Sequence, residues 1–295
     1  MRIRTASLLC LVAVLSAGCG QEHAADGSGR TAPAGENERA RRVAAAWDGS
    51  DAAEAWRRGF YPMADVVQLP ENAFRSGADK EAYLTQNFEL RGVLPARHPR
   101  QGTVKWDGGA TLDLPLTDAR EAFGTLDRSG GEGPALVVTA ARLGTMELAT
   151  SRGPATVPAW LFTLRGYDTP LKRVALSPSK QPKPPIGPAA DTPSDELWPL
   201  EQLMETAEDG RSVTVLAAHG SCDDGPAVEV LETGGSVVLS ASIRNPSEGD
   251  CTADLKMTEV TVRLGRPLGD RVLLDAFTGR PVSYGNEQGR KPTWD

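Results

Sequence analysis

The sequence predicts an α+β fold made of an N-terminal antiparallel sheet with short helices, followed by a small C-terminal all-β, sandwich-like domain. Three observations support this prediction. Helical patterns come mostly early in residues 38–176 and strand patterns mostly later, which favours an α+β arrangement over alternating βα units. Residues 198–295 carry short apolar runs at regular intervals, which is typical of a β-sandwich. A proline-rich segment, 177–197, lies between the two regions.

The N-terminal region begins with two predicted helices. The first runs from Glu38 to Trp47, and the second follows Ser50, whose side chain suits an N-cap. We expect Trp47 and Trp56 to seed the core of this region. Further helices are predicted over 79–86 and 118–123. Strands are predicted over 64–69, 88–94, 103–106, 111–114, 135–143, 146–150, 157–164 and 172–176. Gly144 is expected in one turn between these strands, and residues 152–154 form another.

The segment 177–197 is the clearest boundary in the chain because it contains six prolines. Proline has no backbone N–H and fixes its own φ angle, so such a run forms an extended, semi-rigid connector rather than a packed element. A proline-rich run can also bind the aromatic groove of a partner protein. The sequence leaves both interpretations open, and the spacer is the simpler one.

The C-terminal domain is predicted to start with a short helix over 200–207. Strands then follow over 212–218, 227–231, 236–243, 254–264 and 271–277. In the strand 236–243 the apolar residues recur at every second position, so one face is apolar and Ser240 and Ser242 lie on the other. The alternation changes step between Met257 and Val260, which predicts a β-bulge there.

The first residues of the chain have the form of a secretory signal peptide. Arg2 and Arg4 precede an apolar run, 6–15, that is too short for a permanent membrane span, and small residues then lead directly to Cys19. This arrangement resembles the lipobox of bacterial lipoproteins, with Ser16 where the family usually has Leu, Val or Ile. The resemblance implies that a diacylglyceryl group is attached to the Cys19 sulfur and that residues 1–18 are removed. Residues 19–37, small and polar, would then form a flexible tether.

The charge of the chain is consistent with attachment through lipid. Removal of Arg2 and Arg4 lowers the count of Lys plus Arg from 32 to 30 against 39 Asp plus Glu, so the formal charge changes from −7 to −9. An acidic surface does not attract nucleic acid or anionic headgroups. Acyl chains, at about 0.8 kcal/mol per buried methylene, would hold the protein on the extracytoplasmic face of the cell membrane. The richness in Ala, Gly, Arg and Pro is similar to that of actinobacterial lipoproteins.

The cysteines divide by position. Cys10 lies in the signal peptide and Cys19 is assigned to lipid, which leaves Cys222 and Cys251 as a pair. Outside the cytoplasm such a pair most often forms a disulfide, and closing a loop of about 30 residues would stabilise the domain by roughly 3 to 4 kcal/mol. The alternative is a metal or catalytic cysteine site, for which only His219 is near.

No catalytic residue, metal ligand or cofactor is predicted. The histidines of the mature chain are His23, His98 and His219, and none lies beside a Gly-Xaa-Ser-Xaa-Gly motif. His219 is expected to be an orienting or packed residue at a strand end. The acidic pair in Asp223-Asp224-Gly225 fits a turn better than a calcium loop, because the calcium template needs acids at alternate positions and a distal Glu.

We therefore expect a non-enzymatic, membrane-anchored lipoprotein that acts as a binding or scaffolding module. Its partners would be the membrane, through the N-terminal lipid, and an unidentified protein or cell-envelope ligand, with no nucleic acid. The alternative is a cell-envelope hydrolase that uses carboxylates the sequence does not single out. A solute-binding protein is a weaker third candidate, because the sequence shows no alternating βα units.

Overall fold

The computed structural model describes residues 34–96, 100–129, 131–247, 252 and 254–285, which all belong to one compact unit. The fold is mixed α+β and mostly sheet, with several separate sheets. The predicted class is confirmed at that level. In the described part of the chain, no helix has the length and apolarity that a membrane span needs.

The described helices and strands follow one another in this order: α1 Ala34–Trp47, α2 Asp51–Arg58, β1 Val67–Gln68, α3 Gly77–Leu84, β2 Phe88–Leu90, β3 Gln101–Trp106, β4 Thr111–Pro115, α4 Ala119–Leu126, β5 Leu136–Thr150, β6 Gly153–Leu164, β7 Leu171–Val174, β8 Leu200–Thr206, β9 Ser212–Gly220, β10 Pro226–Glu232, β11 Ser236–Ile243, β12 Leu255–Arg263 and β13 Val272–Asp275.

The first seven strands form one sheet. The order is β1-β7-β6-β3-β4, and β5 pairs with β6 on one side and β2 on the other. The long hairpin of β5 and β6 is the centre of this sheet. Asp118 is the N-cap of helix α4, and its side chain accepts a hydrogen bond from the Glu121 N–H. The helix packs on the sheet through Phe123, which contacts Phe162.

Strand β5 is continuous, so the predicted turn at Gly144 is wrong. Gly144 pairs with Ala159 in the middle of the hairpin. A Cβ atom at this position would lie 2.8 Å from a methyl group of Leu161, closer than two carbon atoms can approach. A side chain here would make Leu161 shift, so close packing within the hairpin favours glycine, and no reversal of the chain is involved.

The C-terminal strands form two three-stranded sheets, β10-β11-β13 and β12-β9-β8. Strand β11 has the predicted bounds and alternation. Its residues Val237, Leu239 and Ala241 belong to one hydrophobic cluster with Val213 and Val215 of β9. Alternate side chains of the two sheets therefore share a common core.

The other face of the β10-β11-β13 sheet is covered by α1 and α2. Trp47 and Trp56 lie in a cluster with Val238 of β11 and with Val272 and Leu274 of β13. The expectation that these tryptophans seed the N-terminal core is therefore wrong. The predicted N-cap is confirmed, because the Ser50 hydroxyl accepts a hydrogen bond from the Ala53 N–H at 3.1 Å. Helical cover also buries Ser240 to 4% exposure, although the alternation had placed it on an outer face.

Two further predictions in this region are wrong. Residues 200–206 form strand β8 instead of a helix, and the pairing of β8 with β9 is interrupted twice, between Leu200 and Gln202 and between Leu203 and Glu205. Conversely, β12 pairs with β9 without any break, so the predicted bulge near Met257 is absent. The changed alternation arises because Met257 lies on the outer face and is 47% exposed.

The proline-rich segment 177–197 contains no strand or helix but is held at several points. The Phe60 N–H donates to the Ser179 hydroxyl at 2.9 Å, and Tyr61 donates its phenol to the Lys180 carbonyl. Arg39 donates to the Gly187 carbonyl. The segment therefore runs along the layer formed by α1 and α2. The division of the chain into two domains at this segment stays a prediction.

Candidate functional site

An apolar cleft of about 600 Å³ lies where three hydrophobic clusters meet. Leu148 comes from the core of the seven-stranded sheet, Leu203 from the core between the two small sheets, and Trp56 from the cluster beneath the helices. Cavities of this size and composition are typical of small-molecule sites. We call this cavity the cleft.

One wall of the cleft is the tip of the β5–β6 hairpin. The Trp106 indole donates to the Thr150 hydroxyl at 2.9 Å, and the Met63 N–H donates to the Ala149 carbonyl at 2.8 Å. The Ser151 N–H donates to the Tyr61 carbonyl at 2.9 Å. These bonds fix the hairpin tip against the segment that follows α2, so this wall is preformed.

Ser151 is the most unusual residue of that wall. It lines the cleft, it is only 8% exposed, and its hydroxyl has no hydrogen-bond partner among the described residues. A buried hydroxyl without a partner costs about 1 to 3 kcal/mol. A ligand group that bonded to this hydroxyl would recover that energy.

The opposite wall is formed by β8 and by the turn that joins it to β9. Gly210 has φ +67°, a left-handed conformation that favours glycine, and its N–H donates to the Ala207 carbonyl at 2.8 Å. The Leu268 N–H in turn donates to the Gly210 carbonyl at 2.8 Å. The turn and the neighbouring loop 267–269 are thus joined into one wall.

Among the described residues that line the cleft, Arg271 is the one arginine, and four of its five N–H donors are bonded within the protein. It is 6% exposed and lies 2.7 Å from Glu232. It also donates to the carbonyls of Arg266, Pro267 and Leu268. Burial alone would raise the pKa of Glu232, but hydrogen bonds from the Gly265 N–H and from Arg271 outweigh burial and lower it. No described residue of the lining therefore presents an unpaired cation to the cleft.

Three exposed carboxylates also line the cleft, namely Glu147, Glu208 and Asp209. Glu147 accepts a hydrogen bond from the Thr156 hydroxyl at 2.7 Å, and Asp209 accepts one from the Arg211 N–H at 2.8 Å. Neither bond removes the negative charge. The cleft thus combines apolar walls with a negatively charged surface.

A hydrolase that uses carboxylates requires a buried carboxyl group that can act as an acid. Among the described residues, burial raises the pKa of one carboxyl, that of Asp275. Its two oxygens accept hydrogen bonds from the Phe277 and Thr278 N–H groups at 3.1 Å each. Asp275 therefore holds a turn at the end of β13, and it does not line the cleft.

The predicted site residues lie elsewhere. Cys19 and Cys251 are outside the described residues, and Cys222 lies in the turn after β9. The neighbours of the two cysteines do meet, because the hydroxyls of Ser221 and Thr252 are 2.9 Å apart and the Ser221 N–H donates to the Asp254 carbonyl. The disulfide between Cys222 and Cys251 stays a prediction.

His219 has a packed position at the end of β9. It is 7% exposed, its Nδ1 lies 2.8 Å from the Gly220 carbonyl, and its Nε2 lies 3.0 Å from the Thr258 hydroxyl. Because a carbonyl only accepts, Nδ1 carries the proton and Nε2 accepts from Thr258. His219 thus joins β9 to β12, as an orienting residue does. His23 and His98 fall outside the described residues.

The acidic pair after β9 forms hydrogen bonds within its own loop. Asp223 accepts from the Gly220 N–H at 2.8 Å and from the Ser247 N–H at 3.0 Å. Asp224 accepts from the Asn245 amide at 2.7 Å. These bonds are those of a turn. Over the described part of the chain, no group of three or more potential ligands could hold a metal ion.

Sequence reasoning missed the cleft altogether. Its lining comes from segments far apart in the chain, such as 147–154 and 203–210, and no local pattern connects them. The only available signal was the predicted turn at residues 152–154, which correctly located the hairpin tip. Burial of the Ser151 hydroxyl follows from tertiary packing alone.

Comparison with protein-family models, with curated proteins and with solved structures finds no match.

Proposed function

We propose that this chain is a lipid-anchored, extracytoplasmic binding protein whose cleft takes an apolar small molecule with a hydrogen-bonding group. The single observation that carries the proposal is the apolar cavity of about 600 Å³, whose lining includes Ser151 with a buried, unpartnered hydroxyl. A protein that only scaffolds has no need of such a cavity. A binding protein needs both the apolar volume and a polar group that orients the ligand.

The charges of the cleft narrow the ligand class. The charge of Arg271 is already paired with Glu232, and Glu147, Glu208 and Asp209 repel an anion. The ligand is therefore neutral or cationic, with an apolar body. An alkylamine or a neutral ligand with a hydroxyl or carbonyl group has the required chemistry, whereas a fatty acid carboxylate does not.

Filling the cleft tests this proposal. Ala149 is exposed and lines the cleft, whereas Ala140 is exposed on the same strand but lies outside it. The full-length protein in phosphatidylcholine nanodiscs is titrated with the neutral fluorescent probe N-phenyl-1-naphthylamine, with empty nanodiscs as the blank. We expect Ala149→Trp to weaken binding of the probe by about tenfold or more and Ala140→Trp to change it by less than about twofold.

Equal affinity for the probe in the wild type and in both variants would contradict the proposal. So would the absence of saturable binding to the wild type. The unfolding midpoints of the two variants are compared first, so that a loss of folding is not read as a loss of binding.

The anchoring proposal rests on the signal-like segment before Cys19, and the acidic composition supports it. Replacing Cys19 with Ala removes the sulfur that would carry the diacylglyceryl group. We expect the variant to leave the membrane fraction, because no basic surface would hold an acidic protein there. A variant that stays in the membrane fraction as completely as the wild type would contradict lipid anchoring at Cys19.

The arrangement of the C-terminal sheets and their disulfide is also a proposal. We propose that the two three-stranded sheets act as a sandwich-like domain that is stapled by a disulfide between Cys222 and Cys251. The contact between Ser221 and Thr252, which adjoin the two cysteines, supports the staple. Peptide mapping under non-reducing conditions should recover the two cysteine peptides linked. Separate recovery of both peptides with free thiols would count against it.

A further inference from the structure

A second cavity contains an arginine with an unusual environment. Arg173 lies in β7 beside Trp160 of β6. Leu171, two residues earlier, lies on the same face of the sheet and pairs with Phe162, which contacts Phe123 of α4. Arg173 is therefore partly buried between α4 and the sheet.

The guanidinium group of Arg173 makes no hydrogen bond and no ion pair with any described residue. Burial, and after it the charge of Arg128, lowers the pKa of Arg173 to about 10. The side chain is consequently still a cation at neutral pH. A partly desolvated cation without a partner is unfavourable, because it loses hydration without gaining a counter-charge.

The other well-buried arginines of the described residues have hydrogen-bond partners within the protein. Arg39 donates to the Ala276 carbonyl at 2.9 Å and to the Gly187 carbonyl at 2.6 Å. Arg271 has Glu232 and three carbonyls. The fold thus supplies partners to its other buried guanidinium groups, and Arg173 is the exception.

The space beside Arg173 is a cavity of about 90 Å³. One water occupies about 10 to 15 Å³ on this measure, so the cavity holds roughly six waters or one small polar group. Thr117 and Ser177 line it, and neither hydroxyl is engaged with another described residue. Their O–H groups are available as donors, as is the guanidinium fork. Every unused polar side chain of the lining except one carboxylate could therefore donate to an anion.

That carboxylate belongs to Glu121, an exposed residue of the same lining. Its charge offsets part of the positive potential of Arg173 and Arg128. A monoanion is therefore favoured over a dianion such as phosphate. The planar, two-oxygen carboxylate group also matches the guanidinium fork with two parallel hydrogen bonds.

We propose that Arg173, together with the hydroxyls of Thr117 and Ser177, forms a binding site for the carboxylate group of a small molecule. Carboxylate oxygens accept from the guanidinium fork and from the two hydroxyls. The site lies apart from the cleft, shares no lining residue with it, and does not depend on the function proposed for the cleft.

Acetate is the probe for this site. Saturation-transfer NMR of the acetate methyl group is measured on the full-length protein, with sodium chloride holding the ionic strength constant. We expect Arg173→Gln to weaken acetate binding by about tenfold or more, because the counter-charge is lost. Glu121→Gln should tighten acetate binding about threefold, because a repulsive charge is removed. Arg142→Gln, at an exposed position of β5, is the matched control and should leave acetate binding unchanged.

The proposal is overturned if the wild type gives no saturable acetate signal, or if Arg173→Gln binds acetate as tightly as the wild type does. Phosphate that competes more tightly than acetate would overturn the choice of a monoanion. If Arg173→Gln fails to fold, the comparison of the wild type with Glu121→Gln decides, and an unchanged acetate affinity there overturns the site.

Discussion

The two cavities of this protein differ in whether the arginine of the lining has a hydrogen-bond or ion-pair partner within the protein. In the cleft, Arg271 is bonded to Glu232 and to three carbonyls, so its charge is balanced by the protein itself. In the small cavity, Arg173 has no partner among the described residues. The cleft is also larger, about 600 Å³ against about 90 Å³.

This difference separates a structural charge from a recognition charge. Arg271 joins the loop 266–268 to β10 and so maintains one wall of the cleft, which is lined by apolar side chains and by Ser151. Arg173 makes no hydrogen bond or ion pair with a described residue, so its charge is available to a ligand. The comparison predicts opposite responses to the same substitution at the two arginines.

The largest effect is expected when Arg271 is replaced with Gln. Breaking a buried ion pair leaves the partner charge without compensation, which costs roughly 3 kcal/mol of the free energy of unfolding. Arg173→Gln should instead leave the free energy of unfolding unchanged or raise it, because a poorly solvated charge is removed. Urea unfolding of both variants measures the difference, with Arg263→Gln on the exposed side of β12 as the control. Equal destabilisation by Arg271→Gln and Arg173→Gln would contradict the distinction between a structural charge and a recognition charge.

The next effect is a pH dependence at Glu232, the partner of Arg271. Hydrogen bonds hold the pKa of this carboxyl below its ordinary value of 4.5, despite opposition from burial. A carboxyl whose pKa is lowered by folding contributes stability above its unfolded pKa and loses it as pH falls through the folded pKa. Glu232→Gln should therefore be less stable than the wild type at about pH 6, and the difference should shrink below pH 4.5.

Urea unfolding at several pH values measures this dependence. A gap between the wild type and Glu232→Gln that stays constant across the acidic range would show that the charge of Glu232 is not what stabilises the wall of the cleft.

The smallest effect is expected at Ser151. Replacing it with Ala removes a buried hydroxyl that has no partner, so the free energy of unfolding should rise by about 1 kcal/mol. Binding of a hydrogen-bonding ligand in the cleft should weaken at the same time, because its polar partner is gone. Thermal unfolding and ligand titration of the same preparation test both effects. A variant that is less stable than the wild type would mean that the Ser151 hydroxyl makes a bond in the folded protein.

Local patterns predicted the fold where side-chain spacing alone determines structure. Strand β11 has the predicted bounds, and Ser50 caps α2 as its residue type suggests. Strand β8 was predicted as a helix because Leu200 and Leu203 are three residues apart, as on a helical face. The interruptions in its pairing with β9 supply the physical reason. One extra residue in a strand places positions three apart on the same face, and both leucines are buried in one core.

The features that local patterns did not predict depend on contacts between distant parts of the chain. Gly144 looked like a turn, but it lies within β5, where the close approach of the Leu161 side chain favours glycine. Trp47 packs on strands that lie more than 180 residues further along the chain, and the spacing of apolar residues cannot predict such a contact. The cleft and the Arg173 cavity have the same origin, since the absence of a partner for Ser151 or Arg173 becomes visible only once every neighbour is placed.

The most direct test of the cleft as a binding site is photolabelling with a long-chain alkylamine that carries a diazirine on its chain. The full-length protein in nanodiscs is irradiated and the labelled peptides are mapped. The proposed function predicts labels in segments 147–154 and 203–210, the two walls of the cleft, and their loss in Ala149→Trp or in excess unlabelled alkylamine. Labelling that is spread over the surface, or that survives both the substitution and the competitor, would contradict it.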